Sequence, residues 1–311
     1  MKYIFGVDVG GTSIKCGLFT EEGSIAEKWE IPTDTTDRGS HILKDIADSL
    51  NDAVMRNSID RADIEGIGIG VPGPVEPDGT VNKCSNLGWG VFNVENELSS
   101  LTGYKVKAGN DANVAALGEM WQGGARGYSN VIMITLGTGV GGGIIVDGKV
   151  VAGNNGAAGE IGHIAVNPGE KESCSCGRRG CLEQYASATG IVRYASKYLE
   201  ANPDTETNLC PENLTSKSIF DAAREGDEAA YHIVDETGSV LGSAMATLAC
   251  VMNPEVFVIG GGVSKAGKIL IDSISRGFRK NAFHAVQDTV IVTAELGNDA
   301  GIYGGAYLIR E

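Results

Sequence analysis

The chain has no apolar run long enough to cross a bilayer. The longest candidate, GSVLGSAMATLACVMN from Gly238, is short, carries polar residues and reads as a helix buried in a core. The opening residues MKYIFGVDVG hold one lysine and neither an apolar leader core nor a small-residue cleavage site, so a cytoplasmic location is expected. Basic charge is scarce too. The formal net charge is −15, which gives nucleic acid and anionic membranes no footprint. Nucleotides stay open, because backbone amides and Mg2+ can hold a polyphosphate without a basic surface. A Walker A sequence is missing, which excludes an ordinary P-loop. Gly137, Gly139 and Gly142 satisfy G-x-G-x-x-G, but GIIVDGKVV follows as a strand where a dinucleotide fold requires a helix. That match reads as accidental.

Glycine is what the chain has in excess: 45 of 311 residues, about twice the usual share. The glycines cluster after apolar runs, as in phosphate loops and sharp turns. Tyr3 to Val9 is one such run, followed by Gly10-Gly11-Thr12, a second run from Ile14 to Phe19, a turn at Glu22-Gly23 and a third run from Ile25 to Ile31. Val131 to Leu136 repeats the plan with Gly137-Thr138-Gly139, Gly143 to Val146, Asp147-Gly148 and Lys149 to Ala152. Helical spacing follows at Ile42, Ile46, Leu50 and Val54, and later near Ser187 to Ala201, Ser218 to Arg224, Glu228 to Met252, from Lys265 and from Asp299. Strands are expected at IEGIGIGVPG, VFVIGGG and TVIVTAEL. Two α/β domains follow from this order and from the length. The expected division is 1–118 and 119–298, with the helix at about 299–311 packing back on the first.

Between Glu160 and Glu183 the chain crowds His163, Cys174, Cys176 and Cys181. In a reducing compartment one imidazole and three thiolates suit a closed tetrahedral Zn2+ site better than a disulfide framework or inert thiols. The zinc loop is therefore 163–181. Cys16, Cys84, Cys210 and Cys250 stand alone and are expected to be small buried hydrophobes. The paired glycine hairpins have amides suited to a polyphosphate, although each alone is no more than a turn.

DVGGTSIK, NDANVAALGE, LGTGVGGG, GEIGH and CSCGRRGCLE occur in that order, and the likeness continues to the terminal GNDAGIYGGAYL. In these motifs the chain resembles the ROK family of sugar kinases. The resemblance implies an α/β, actin-like (ribonuclease-H-like) sugar kinase fold, with nucleotide and sugar in a cleft between two domains. It implies ATP-dependent phosphorylation of D-glucose at the 6-hydroxyl, with ATP, Mg2+ and a structural Zn2+, in a homodimer. The alternatives are a kinase for another hexose or for N-acetylmannosamine, or a sugar-sensing member without catalysis.

The residues divide accordingly. Asp111 heads a helix patterned by Val114, Leu117 and Trp121, where pattern alone makes it an N-cap and the resemblance makes it the catalytic base. Asp8 ends the first strand, where a carboxylate can hold Mg2+ against phosphates. Thr12 and Thr138 add hydroxyls to the amides of Gly10, Gly11, Gly137 and Gly139, while Lys15 is either a phosphate contact or a solvated strand residue. By resemblance Gly260, Gly261 and Gly262 border the nucleoside. Asn110, Glu160, His163 and Glu183 are carried over as sugar ligands. Asn86 and Gly73 follow them, with loop roles equally open. A zinc-bound imidazole keeps an N–H on its other nitrogen, free to donate to a sugar hydroxyl.

Two other classes compete. A ROK repressor carries an added N-terminal helix-turn-helix region, which is not expected where the first strand begins at Tyr3. An actin-like filament or chaperone ATPase could use the paired hairpins but would have no use for the zinc loop.

Overall fold

The computed structural model describes residues 1–310 apart from 83 and 85. In chain order the elements begin with β1 (Tyr3–Val9), β2 (Ser13–Thr20), β3 (Ile25–Pro32), α1 (Ile42–Arg56), β4 (Ile64–Val71), β5 (Thr80–Val81), β6 (Phe92–Asn93), α2 (Val94–Thr102), β7 (Val106–Asn110) and α3 (Asp111–Gln122). They continue with β8 (Val131–Leu136), β9 (Val140–Val146), β10 (Lys149–Val150), α4 (Glu183–Ala186), α5 (Ala188–Ala201), α6 (Ser216–Arg224), α7 (Glu228–Met252), β11 (Val256–Gly260), α8 (Lys268–Asn281), β12 (Val290–Thr293) and α9 (Ala300–Arg310).

The contacts define two compact units interleaved in sequence. The first holds Met1–Val131, Gly143–Gly159 and Glu295–Glu311, and the second Ile132–Gly142 and Glu160–Ala294. A boundary near Glu119 with the last helix returning to the first domain was expected; residues 295–311 do belong to the first unit, but residues 143–159 join it as well, Gly143 lying against Ala112 and Ala116 of α3 and Gly156 against Val75.

In the first unit a five-stranded sheet runs β3-β2-β1-β4-β7. β1 is antiparallel to β2 and parallel to β4, which is parallel to β7. The central strand β1 is covered on both faces. Phe5 and Val7 join a core with Ile42, Ile46 and Leu50 of α1, whose four-residue apolar spacing turns one helix face to the sheet. Ile4 and Phe19 pack on the opposite side with Ile302, Ala306 and Ile309 of α9. α2 and β7 are two elements that the apolar pattern did not announce. α2 starts at an Asn93 side chain that accepts from Asn96 N at 2.8 Å, and it stops at Gly103 with φ 76°. β7 then delivers the chain into α3 with no intervening loop.

In the second unit β11 lies between β8 and β12, and pairs with β12 in parallel. The long α7 packs on α8, α6 and α5. Its N-cap Asp227 accepts from Ala230 N at 2.9 Å, and Asn253, at φ 45°, ends it. The expectation of four buried lone thiols needs correcting. Cys16 and Cys84 are buried, but Cys210 and Cys250 are exposed. Cys250 faces solvent on α7, and Cys210 lies in a loop where its thiol donates to Glu212 Oε2 at 2.9 Å. No helix among the described residues is long and apolar enough to cross a membrane.

Candidate active site

In the first unit the turn from β7 into α3 gathers three of the expected residues. The Asn110 side chain is the helix cap: Oδ1 accepts from Ala112 N at 3.0 Å and Asn113 N at 3.2 Å. Capping therefore falls to Asn110, and Asp111 occupies the first helical position instead. Asn110 Nδ2 donates to Gly73 O at 3.1 Å and to Asp111 Oδ1 at 3.0 Å, so one amide ties the loop after β4 to the carboxylate. Asp111 Oδ1 also accepts from Ala112 N at 2.8 Å. A helix N-terminus favours a negatively charged group through its free amides and dipole. Asn86 is exposed in the turn after Cys84. Burial first, and the negative field of Asp111 among lesser causes, raise the Cys84 thiol pKa.

Asp8 lies on β1 opposite Lys15 of β2. Burial drives its pKa from 3.8 to about 6, with Lys15 opposing the rise and Asp111 adding to it. Lys15 Nζ donates to the Asn298 carbonyl at 3.2 Å. The room for Asp8 comes from α9: a Cβ on Gly301 would lie 2.5 Å from the Asp8 carboxyl carbon, so only glycine lets helix and carboxylate meet. The β1–β2 turn is closed by Gly10 N donating to Ser13 O at 3.0 Å, with Gly11 and Thr12 exposed beside it.

The second unit carries the other expected groups. The β8–β9 turn is closed by Gly137 N to Gly139 O at 3.0 Å, and Thr138 at its tip is exposed. β9 is a strand, which removes the dinucleotide reading of Gly137, Gly139 and Gly142. Gly260 ends β11, and Gly261 and Gly262 lead into a short 3-10 turn. Glu160, exposed, precedes a 3-10 turn that ends at His163. The segment from 164 to 167 then pairs with 180–182 through Leu182 N to Ile164 O at 2.8 Å and Val166 N to Gly180 O at 2.7 Å, which brings both ends of the cysteine loop together.

At that junction the donor atoms of His163, Cys174, Cys176 and Cys181 all lie within 4.8 Å of one another. Cys176 Sγ is 3.6 Å from Cys181 Sγ, and Cys174 Sγ is 3.8 Å from His163 Nδ1. A tetrahedral ion with Zn–S bonds of about 2.3 Å would separate its ligands by roughly 3.8 Å. The cluster fits zinc in ligand type and in spacing. Its imidazole approaches through Nδ1, leaving Nε2 on the other side of the ring.

Glu183 is the link between this cluster and the glycine hairpin. Oε1 accepts from Cys174 Sγ at 3.0 Å and from Ser175 Oγ at 2.8 Å. Its other oxygen would lie 2.7 Å from a Cβ on Gly139, so glycine there admits the carboxylate against the backbone. Although burial works the other way, hydrogen bonds from Cys174 and Ser175 lead the influences that hold its pKa below the usual carboxylate value. Glu183 was expected only as a sugar ligand. Ser175 and the amide side of Val140 share it, and nothing in the local sequence signals either.

A family model described as the ROK family matches residues 4–311. The chain is 45% identical to a glucokinase of Halalkalibacterium halodurans over 315 residues, covering 100% of this chain and 96% of that one. Among solved structures it resembles a ROK family glucokinase from Streptomyces griseus in complex with glucose and AMPPNP, at 36% identity and TM-score 0.75, covering 99% of each chain. It also resembles a ROK family transcriptional regulator at 26% identity and TM-score 0.85, but covers 99% of this chain against 78% of that one.

Proposed function

This chain belongs to the ROK family, and from that premise we propose that it is an ATP-dependent glucokinase that forms glucose 6-phosphate and ADP. The observation that carries the reading is the Asn110–Asp111 turn, where a carboxylate is aimed by a cap whose side chain also holds Gly73. Phosphoryl transfer to a hydroxyl needs a proton acceptor and fixed charge around the phosphates, and little covalent chemistry beyond these. Asp111 takes the proton of the 6-hydroxyl as the sugar oxygen attacks the γ-phosphorus and the bond from that phosphorus to the bridging oxygen breaks, releasing ADP. Asn110 keeps the Asp111 carboxylate in place and offers a carbonyl and an amide to ring hydroxyls. Glu160, His163 and Glu183 in the second unit supply further acceptors and one N–H donor.

The nucleotide assignments are the two hairpins, with Gly10, Gly11 and Thr12 in one unit and Gly137, Thr138 and Gly139 in the other, together with the Gly260–Gly262 turn. Asp8 would hold Mg2+, directly or through water. The fit lies in its electrostatics: a carboxylate whose pKa burial pushes to about 6, with a neighbouring carboxylate contributing to that rise, is one that a cation returns to the charged form. His163, Cys174, Cys176 and Cys181 would hold Zn2+. When bound, Mg2+ would supply charge neutralisation at the phosphates and Zn2+ would supply rigidity. Cytoplasmic location and a homodimer complete this reading.

A panel of hexoses and N-acetylhexosamines with MgATP, following ADP release, tests it. D-Glucose is expected to give the highest kcat/KM, ahead of mannose, fructose and N-acetylmannosamine. A higher value for one of these moves the assignment within the family. Steady ATP turnover without sugar favours an actin-like ATPase, and no turnover at all favours a sugar sensor.

A further inference from the structure

Outside the ligand cluster, the second unit contains a set of side chains that converge on one guanidinium. Arg193, on α5, donates through Nη1 to Glu172 Oε2 at 3.0 Å and through Nη2 to Glu170 Oε2 at 2.9 Å. The same Nη2 donates to the Gln184 carbonyl at 3.0 Å, and the guanidinium carbon lies 5.2 Å from the centre of the Tyr185 ring. Glu170 and Glu172 precede the first loop cysteine, whereas Gln184 and Tyr185 follow the last. One side chain thus grips both strands of the neck from which the cysteine loop projects.

The surrounding groups close the network. Tyr185 Oη donates to Glu170 Oε2 at 2.6 Å and accepts from Asn167 Nδ2 at 2.9 Å. Gln184 Oε1 accepts from Gly180 N at 2.8 Å and Cys181 N at 3.1 Å, while its Nε2 donates to the Glu172 carbonyl at 3.2 Å. The hydrogen bond from Tyr185, followed by others including that from Arg193, holds the Glu170 pKa at about 2, so that carboxylate is ionised throughout the working range. Arg193 Nε is buried without a partner. A guanidinium held only for surface charge would turn that donor to water; here the fork to the two glutamates fixes its plane.

We propose that Arg193 is the positioning residue for the candidate ligand groups of the second unit: by clamping the neck of the cysteine loop, it presets the zinc ligands and Glu183, whose backbone adjoins the clamped Gln184. A flexible loop must lose chain entropy to bring its ligands together, and a clamp that has closed the neck leaves less to lose on metal or sugar binding. The consequence for sugar rests on the function proposed above. The consequence for metal does not.

The test uses the full chain carrying zinc, with Arg193→Met and Arg193→Lys. Zinc transfer to a chromogenic chelator is timed, and glucose KM, MgATP KM and kcat are measured on the same preparations. Arg193→Met is expected to speed zinc transfer by about 10- to 100-fold and to raise glucose KM by about tenfold or more. MgATP KM, and kcat at saturating glucose, are expected to stay near wild type. Arg193→Lys keeps the charge without the planar fork and is expected to fall between the two. Unchanged zinc transfer and unchanged glucose KM in Arg193→Met overturn the proposal. So does a parallel decline in every kinetic parameter, which marks Arg193 as a fold residue only. Should Arg193→Met not fold, Glu172→Gln, at a half-exposed partner, is expected to speed zinc transfer to a smaller degree, and no change there overturns the clamp. If wild-type protein fails to phosphorylate glucose, the functional reading falls while zinc transfer still decides the clamp.

Discussion

At the head of α3, Asn110 and Asp111 sit where a strand runs directly into a helix, so backbone geometry fixes them. Glu160, His163 and Glu183 sit on a stretch built from a 3-10 turn, two isolated antiparallel bridges and the four-residue α4. In the first group Asn110 both caps the helix and donates to its neighbour Asp111. The second is held by side chains, through the cysteine and histidine cluster and the Arg193 network. Damage to the first should therefore stay local and chemical, whereas damage to the second should spread into metal content, stability and sugar affinity together.

The largest effect is expected at Asp111. Asp111→Asn keeps the shape of the helix start but cannot accept the proton, so kcat should fall by about 10²- to 10⁴-fold with glucose affinity nearly unchanged. Zinc content should be untouched. A mutant with near-wild-type kcat would return Asp111 to a structural role.

Cys176→Ser should show the opposite pattern. One zinc per chain is expected in wild-type protein, and loss of a ligand should lower metal content and melting temperature while raising glucose KM, by about 10-fold or more. Metal loss without a change in KM or stability would break the link between cluster and sugar site.

The third prediction separates Asp8 from both groups by pH. Its folded pKa of about 6 lies above the ordinary 3.8, so the ionised form required for Mg2+ is depleted as pH falls through about 6. MgATP KM should therefore climb by up to about tenfold per pH unit below that point, with glucose KM unaffected. Without metal the sign for stability reverses. A raised folded pKa favours the native state at low pH, and this contribution is lost as pH rises through about 6. In Asp8→Asn both dependences should flatten; an unchanged MgATP profile would remove Asp8 from the metal site.

The smallest effect sharpens the local side of the comparison. Asn110→Ala removes the cap and should cost about 1 kcal/mol in denaturant unfolding. Asn110→Ser keeps a capping oxygen and should recover most of that stability, yet both should raise glucose KM because neither holds Gly73. Equal KM values for wild type and Asn110→Ser would limit Asn110 to capping.

Much of this was legible in the residues because periodicity and spacing are local properties. The β1–β2–β3 meander, α1 and α7 follow directly from apolar runs and helical repeats, and one histidine and three cysteines within a short span announce their cluster. α2 and β7 escaped because neither has a long apolar period. The caps Asn93 and Gly103 were the available signals for α2. The exposure of Cys210 and Cys250 escaped because a lone thiol in an apolar context looks the same whichever face it occupies. Interleaving of the units and the convergence of Glu170, Gln184 and Arg193 depend on contacts between separate segments, which no single window carries, whereas the cap at Asn110 is local and was missed by one residue because Asn and Asp both cap well. Glu183 shows the limit most clearly: its motif marks a sugar ligand, but its engagement by Cys174 and Ser175 emerges only after the loop has folded back.

The most direct test of the central claim is the stoichiometry of the reaction on glucose. With MgATP and D-glucose, ADP and glucose 6-phosphate measured in one reaction by coupled enzymatic assays should appear in equal amounts, and Asp111→Asn should slow both together by about 10²- to 10⁴-fold. ADP released without a matching hexose 6-phosphate, or glucose 6-phosphate formed at the wild-type rate by Asp111→Asn, would contradict the account.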